Sequence, residues 1–140
     1  MVEIKLIFSV VGASLNPLSL SEVIKIAATR YWFKDDVIPN RAKLIRRKET
    51  CWEYAFDVLN TLDVNEVTGM FLLKFDSVLE ALALYINGNN LESKLSLVVK
   101  MYGETPAVQF DKEFLKKIAQ INAELEIDLY MIDENDKSDV

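Results

Sequence analysis

Histidine is absent from all 140 residues. That removes Ser-His-Asp and Cys-His catalysis, His-ligated zinc and the commonest general base. The single cysteine, Cys51, allows no internal disulfide, CxxC redox pair or thiolate metal cluster, and nothing here asks for an oxidising compartment. Four glycines, Gly12, Gly69, Gly88 and Gly103, are too scattered for a P-loop or a dinucleotide fingerprint. Positive charge is scarce, and a net charge of −6 argues against general binding to nucleic acid or an anionic membrane. No apolar run approaches the roughly 20 residues of a membrane helix. The expectation is a cytoplasmic, non-enzymatic protein without metal or cofactor.

What is present is ordinary globular material, 51% hydrophobic and 27% charged, in a length that suits one domain. The stretch from Leu91 to Asp133 reads as strand, turn, helix and strand. Leu95, Leu97, Val99 and Met101 alternate with Ser96, Val98, Lys100 and Tyr102. Leu125, Ile127, Leu129 and Met131 alternate with Glu126, Asp128 and Tyr130. A period of two assigns each apolar set to one face of a sheet. Between them Phe114, Leu115, Ile118 and Ile121 recur at helical spacing, with Asp111 at the N-cap and Phe110 and Leu115 at the staple positions.

The N-terminus faintly resembles a signal peptide, but its apolar run is short and carries Glu3 in its flank. Alternation of Ile4, Leu6, Phe8 and Val10 with Lys5 and Ser9 favours a strand over 4–11. Ser19 with Glu22 reads as a capping box, rivalled by Ser21, for a helix running to about Ala28 whose buried side is Val23, Ile24 and Ala27. Trp52, Tyr54 and Phe56 alternate as a strand. Asp63 with Glu66 opens a helix striped by Val67, Met70, Phe71 and Phe75. Ser77 with Glu80 restarts the pattern with Val78, Leu82 and Ile86, which stops at Gly88. Strand, Gly12, Pro17 and helix faintly repeat as strand, Gly103, Pro106 and helix, suggesting two β-α-β units. Residues 134–140 are acidic and expected to be a disordered tail behind a single domain over 1–133.

Residues 29–50 break these habits. They show no period, hold seven basic and three acidic residues for a local charge of +4 against −10 elsewhere, and include Tyr31, Trp32 and Phe33. A long structureless loop in a compact domain is uncommon and often functional. Arginine with aromatics makes interface hot spots, whereas the plainer reading pairs these cations with an acidic sheet and plugs Trp32 into the core edge. The candidate binding residues are Arg30, Trp32, Lys34, Arg46, Arg47, Trp52 and Tyr54. Glu124, Glu126 and Asp128 share one strand face, where paired carboxylates can do acid-base or metal work; a solvated face explains them as well. Cys51 beside Arg46 or Lys48 suggests a nucleophile, but without a base a small core residue fits better.

Thr29-Arg30-Tyr31-Trp32-Phe33-Lys34-Asp35, Trp52-Glu53-Tyr54, Glu104-Thr105-Pro106 with Phe110-Asp111, and Asn122 through Tyr130 together resemble the bacterial domain-of-unknown-function family 4279. The resemblance spans most of the chain and consists of spaced landmarks rather than a catalytic signature. It departs at two positions, where Asp35 and Cys51 stand in place of glycines. It implies a small bacterial protein without established activity, in some cases an immunity protein of a toxin system.

The expected architecture is an α+β two-layer sandwich, with a mainly antiparallel or mixed sheet of four or five strands and helices on one face. The expected function is a protein-binding module, of the immunity type, meeting an acidic partner surface through residues 29–50. The alternative is a small-ligand sensor with a pocket between sheet and helices near Trp32, Trp52 and Tyr54. Nothing in the sequence fixes strand order or self-association.

Overall fold

The computed structural model describes residues 1–133; the tail expected over 134–140 lies outside them. In chain order the elements are β1 (Val2–Val11), α1 (Pro17–Ile24), β2 (Arg30–Trp32), β3 (Cys51–Ala55), β4 (Leu59–Asn60), α2 (Val64–Phe75), a 3-10 turn (Asp76–Val78), α3 (Leu79–Gly88), β5 (Glu92–Met101), α4 (Lys112–Gln120) and β6 (Ala123–Met131). The strands form one mixed sheet in the order β2-β3-β1-β5-β6, with β4 also pairing β1 beyond the end of β3. Only β5 and β6 run parallel, joined by α4 as a β-α-β crossover. The first half of the chain shares its strand–turn–helix phrase but not that outcome, since β3 runs antiparallel to β1.

The period-two pattern fixes the two faces. Ile4, Leu6, Phe8 and Val10 of β1 and Leu95, Leu97 and Val99 of β5 are fully buried on the face that the helices cover. Trp52 and Phe75 pack edge-on against Phe8 there, with ring centroids 6.0 and 5.2 Å away, and Phe71 stacks on Phe75 at 5.0 Å. Trp52 Nε1–H donates to Ser21 Oγ at 2.8 Å, tying β3 to α1, and buried Ser93 Oγ–H donates to the Ile121 carbonyl at 2.8 Å, tying β5 to the end of α4. Gly12 takes φ 154°, which L side chains rarely adopt, and an added Cβ would also stand 2.6 Å from Leu91 Cδ2, so this turn favours glycine.

Several local expectations are corrected. Asn16, not Ser19, caps α1, its Oδ1 accepting from the Leu18 and Ser19 N–H groups, because Pro17 favours the first helical position. Lys25, in the left-handed region at φ 60°, ends that helix before Ala28; Ile24 is buried as expected, together with Leu20, whereas Val23 and Ala27 are exposed. Asp111 makes no side-chain cap bond, Leu115 is exposed, and Phe110 stacks on Phe114 at 5.9 Å instead. No side chain caps α3 at Val78, so Ser77 does not act there, and Asn90 rather than Gly88 takes the positive φ after it.

The largest correction concerns β6. Leu129 and Met131 lie on the apolar face assigned by the period of two, yet they are 60% and 86% exposed. A nine-residue helix spans about 14 Å and a nine-residue strand about 30 Å, so α4 covers only the first half of β6.

Candidate functional site

Among the described residues no helix covers the opposite face of the sheet, and its side chains run in rows across the strands. One row is Trp32–Cys51–Val11; the next is Arg30–Glu53–Ser9–Lys94–Glu124, with charges alternating around the serine. All of these except Arg30 line an open groove of about 340 Å³ that also takes in Ile7, Ser96, Glu49 and Glu92. Arg30 reaches both Glu53 oxygens, at 3.1 and 3.5 Å, and Lys94 meets Glu126 at 3.3 Å. The Lys94–Glu126 pair is open to solvent and stabilises little, whereas Glu53 of the Arg30 pair is mostly covered.

Trp32 is the hub of this end. Its indole lies under two guanidinium groups, with Arg47 at 3.9 Å and Arg30 at 4.7 Å from the ring centroid. Cys51, its cross-strand partner, is only 3% exposed although no helix covers that face. Burial first, then the Glu53 and Glu49 carboxylates, push the thiol up to about 12, against the opposing pull of Arg30 and Arg47. It is therefore a neutral thiol at neutral pH, not an activated nucleophile.

Residues 29–50 are not structureless. After β2 pairs with β3, the chain continues as a projecting arm. Backbone bonds cross it: Asp35 N–H donates to the Arg47 carbonyl at 2.9 Å, Arg47 N–H donates to the Asp36 carbonyl at 2.7 Å, Val37 bridges Arg46, and Ile38 N–H donates to the Ile45 carbonyl at 2.8 Å. Arg46 Nη1 donates to the Asp35 carbonyl at 3.0 Å, and the Lys34 N–H bonds Thr50 Oγ1 at 3.0 Å. Asp35 takes φ 72°, the left-handed conformation that glycine favours, so the turn persists without the glycine of the family pattern. Along the arm Tyr31, Phe33, Val37, Leu44 and Ile45 are exposed, and the Tyr31 and Phe33 rings meet edge to face at 6.1 Å.

The structure thus gathers Arg30, Trp32 and Arg47 into one cluster and places Lys34 and Arg46 on the same arm. It separates Trp52 and Tyr54 from them. Pairing Trp32 with Cys51 assigns Trp32 to the open face, while Trp52, the next residue, points into the core beside the helices. Tyr54 lies on that same inner side, against Phe56 and Phe75. The expected pocket between sheet and helices near both tryptophans is therefore filled by core side chains, and the open concavity lies on the other face. Tyr31 and Phe33 belong to the aromatic run that the sequence shows, whereas Val37, Leu44 and Ile45 carry no sequence signal, because the polar and basic residues around them hide any period. Among the described residues no group of three or more Cys, Asp or Glu side chains is placed to hold a metal ion, and no helix is long and apolar enough to cross a membrane.

A family model described as "Domain of unknown function (DUF4279)" matches residues 2–132. Neither a curated protein nor a solved structure matches the chain.

Proposed function

The chain belongs to this family of unknown function, and from that premise we propose that it is a non-catalytic protein-binding module whose contact surface is the arm over residues 29–50. One observation carries the reading: Tyr31, Phe33, Val37, Leu44 and Ile45 are all exposed within a single ordered arm that also bears Arg41, Lys43 and Lys48. An exposed apolar patch rimmed by charge is what a docking surface requires. The backbone bonds across the arm hold it before a partner arrives, which lowers the ordering cost of binding. The cations suit an acidic partner surface, and arginine adds bidentate contacts to carboxylates. An immunity-type inhibitor of a toxin is the specific form of this reading, since such a protein acts by occupying its target.

The groove beside Trp32 favours a second reading, a small-ligand sensor, because about 340 Å³ is at the lower end of ligand-sized cavities. Affinity capture from the native cell, followed by calorimetry, separates the two. On the first reading Leu44→Glu and Arg47→Lys weaken partner binding, Arg47→Lys nearly as much as Arg47→Ala. Binding also fades as salt rises. Partner binding that ignores all of these changes would move the groove ahead.

A further inference from the structure

The far edge of the sheet is built differently from the arm. Strand β6 is the terminal strand among the described residues, and it pairs with β5 over nine unbroken positions, Ser93↔Ala123 through Met101↔Met131. Its other edge therefore presents a row of backbone donors and acceptors with no strand beside it. Natural proteins guard such edges with charged side chains, lysine above all, or with proline, bulges or very short strands, and the only such guard on β6 is its carboxylates, which a cationic strand would neutralise. The sequence AELEIDLYM contains no lysine or proline, its ladder has no bulge, and it is as long as many central strands.

The strand is also two-faced. Glu124, Glu126 and Asp128 line the open face, and among the described residues only Glu126 of these three has a cation, Lys94 at 3.3 Å. Leu125, Ile127, Leu129 and Met131 line the other face. Beyond the reach of α4, Leu129 and Met131 are exposed, and Met131 lines a concavity of about 340 Å³ with Met101, Gly103, Glu104, Thr105, Ile132 and Asp133.

We infer that β6 is a strand-addition site for an extended segment of another protein in which lysine or arginine alternates with apolar residues. Such a segment extends the sheet by one strand through main-chain hydrogen bonds. Its period of two sets cations beside Glu124, Glu126 and Asp128, and apolar side chains beside Ile127, Leu129 and Met131. A second copy of this chain fits poorly, because antiparallel pairing of β6 with itself opposes carboxylates across the seam, and like charges there destabilise. The site is separate from the arm, so neither proposal depends on the other.

The test uses the full chain and an acetylated, amidated peptide that alternates lysine and valine over the nine residues of β6. Two control peptides accompany it: glutamate alternating with valine, and the same lysines and valines arranged in two blocks. Fluorescence anisotropy should show saturable binding of the alternating lysine peptide only. Asp128→Lys, at a half-buried position of the open face, and Leu129→Lys, at an exposed position, should each weaken it at least tenfold, while Leu44→Glu on the arm leaves it unchanged. Amide exchange within 123–131 should slow when the peptide binds. Equal affinity for the block peptide would reduce the effect to general charge attraction and overturn the inference. So would equal binding by both variants, or a lack of binding by any peptide. A concentration-dependent dimer abolished by Leu129→Lys would assign the edge to a second copy instead.

Discussion

Replacing Trp32 with alanine separates a surface hub from a core plug. The indole is half-buried and carries two guanidinium contacts, at 3.9 and 4.7 Å. Each is worth about 0.5–1 kcal/mol at an exposed site. Partial burial of the ring adds about 1 kcal/mol by area. The expected loss is about 2–3 kcal/mol, below the 3–5 kcal/mol of a fully buried aromatic. Trp52→Ala, which empties a fully buried site and strands the Ser21 hydroxyl, should cost about 3–5 kcal/mol by the same scale. Urea melts of the two variants give this comparison. The decisive readout is Cys51, which Trp32 shields on a face without helices. A thiol moved from 9.0 to about 12 holds roughly a thousandfold less thiolate at pH 8, so the native protein should label very slowly with a disulfide reagent. In Trp32→Ala labelling should accelerate at least tenfold under conditions where the protein remains folded. Unchanged labelling would refute Trp32 as the shield of Cys51. A stability loss as large as that of Trp52→Ala would refute its placement at the surface.

Further outcomes follow from the same geometry. Between pH 9 and pH 12 the unfolded thiol ionises while the folded one stays protonated, so stability conferred by the neutral thiol is present below pH 9 and is lost as pH rises; the stability difference between the native chain and Cys51→Ala should shrink or reverse over that window in pH-dependent urea melts. Asp35→Gly should raise stability by up to about 1 kcal/mol in the same melts, because Asp35 holds φ 72° that glycine adopts freely. Leu97→Ala should cost about 2–5 kcal/mol, whereas Leu129→Ala, on the same face but uncovered, should cost under about 0.5 kcal/mol; similar losses for both would show that Leu129 is buried in solution.

The parts of the fold that could be read directly were those where one physical signal dominates. β1 and β5 alternate because one face meets helices and the other meets solvent, and α2 shows its stripe through Val67, Phe71 and Phe75 because that side alone is buried. Asp63 was legible as a cap, its Oδ1 accepting from the Asn65 N–H. The misreadings share a cause: local pattern does not encode coverage. β6 has the same alternation as β5, but a helix rises less than half as far per residue as a strand, and that mismatch leaves Leu129 and Met131 bare. The start of α1 was misplaced because Ser19 and Glu22 satisfy a capping pattern that Asn16 and Pro17 satisfy first. For the candidate site, charge and composition pointed to residues 29–50, yet they assigned both tryptophans to one place. Only the register Trp32↔Cys51 reveals that the two rings occupy opposite faces, and a three-residue strand carries no pattern from which that register could be read.

The central claim, that the arm is the binding surface, is tested most directly by one matched pair of substitutions in calorimetry with the captured partner. Leu44 on the arm is 71% exposed and Leu73 on α2 is 91% exposed, so Leu44→Glu and Leu73→Glu should both leave the melting temperature nearly unchanged. The account predicts that Leu44→Glu weakens binding at least tenfold while Leu73→Glu binds like the native chain. Native affinity in Leu44→Glu, or a loss confined to Leu73→Glu, would contradict it.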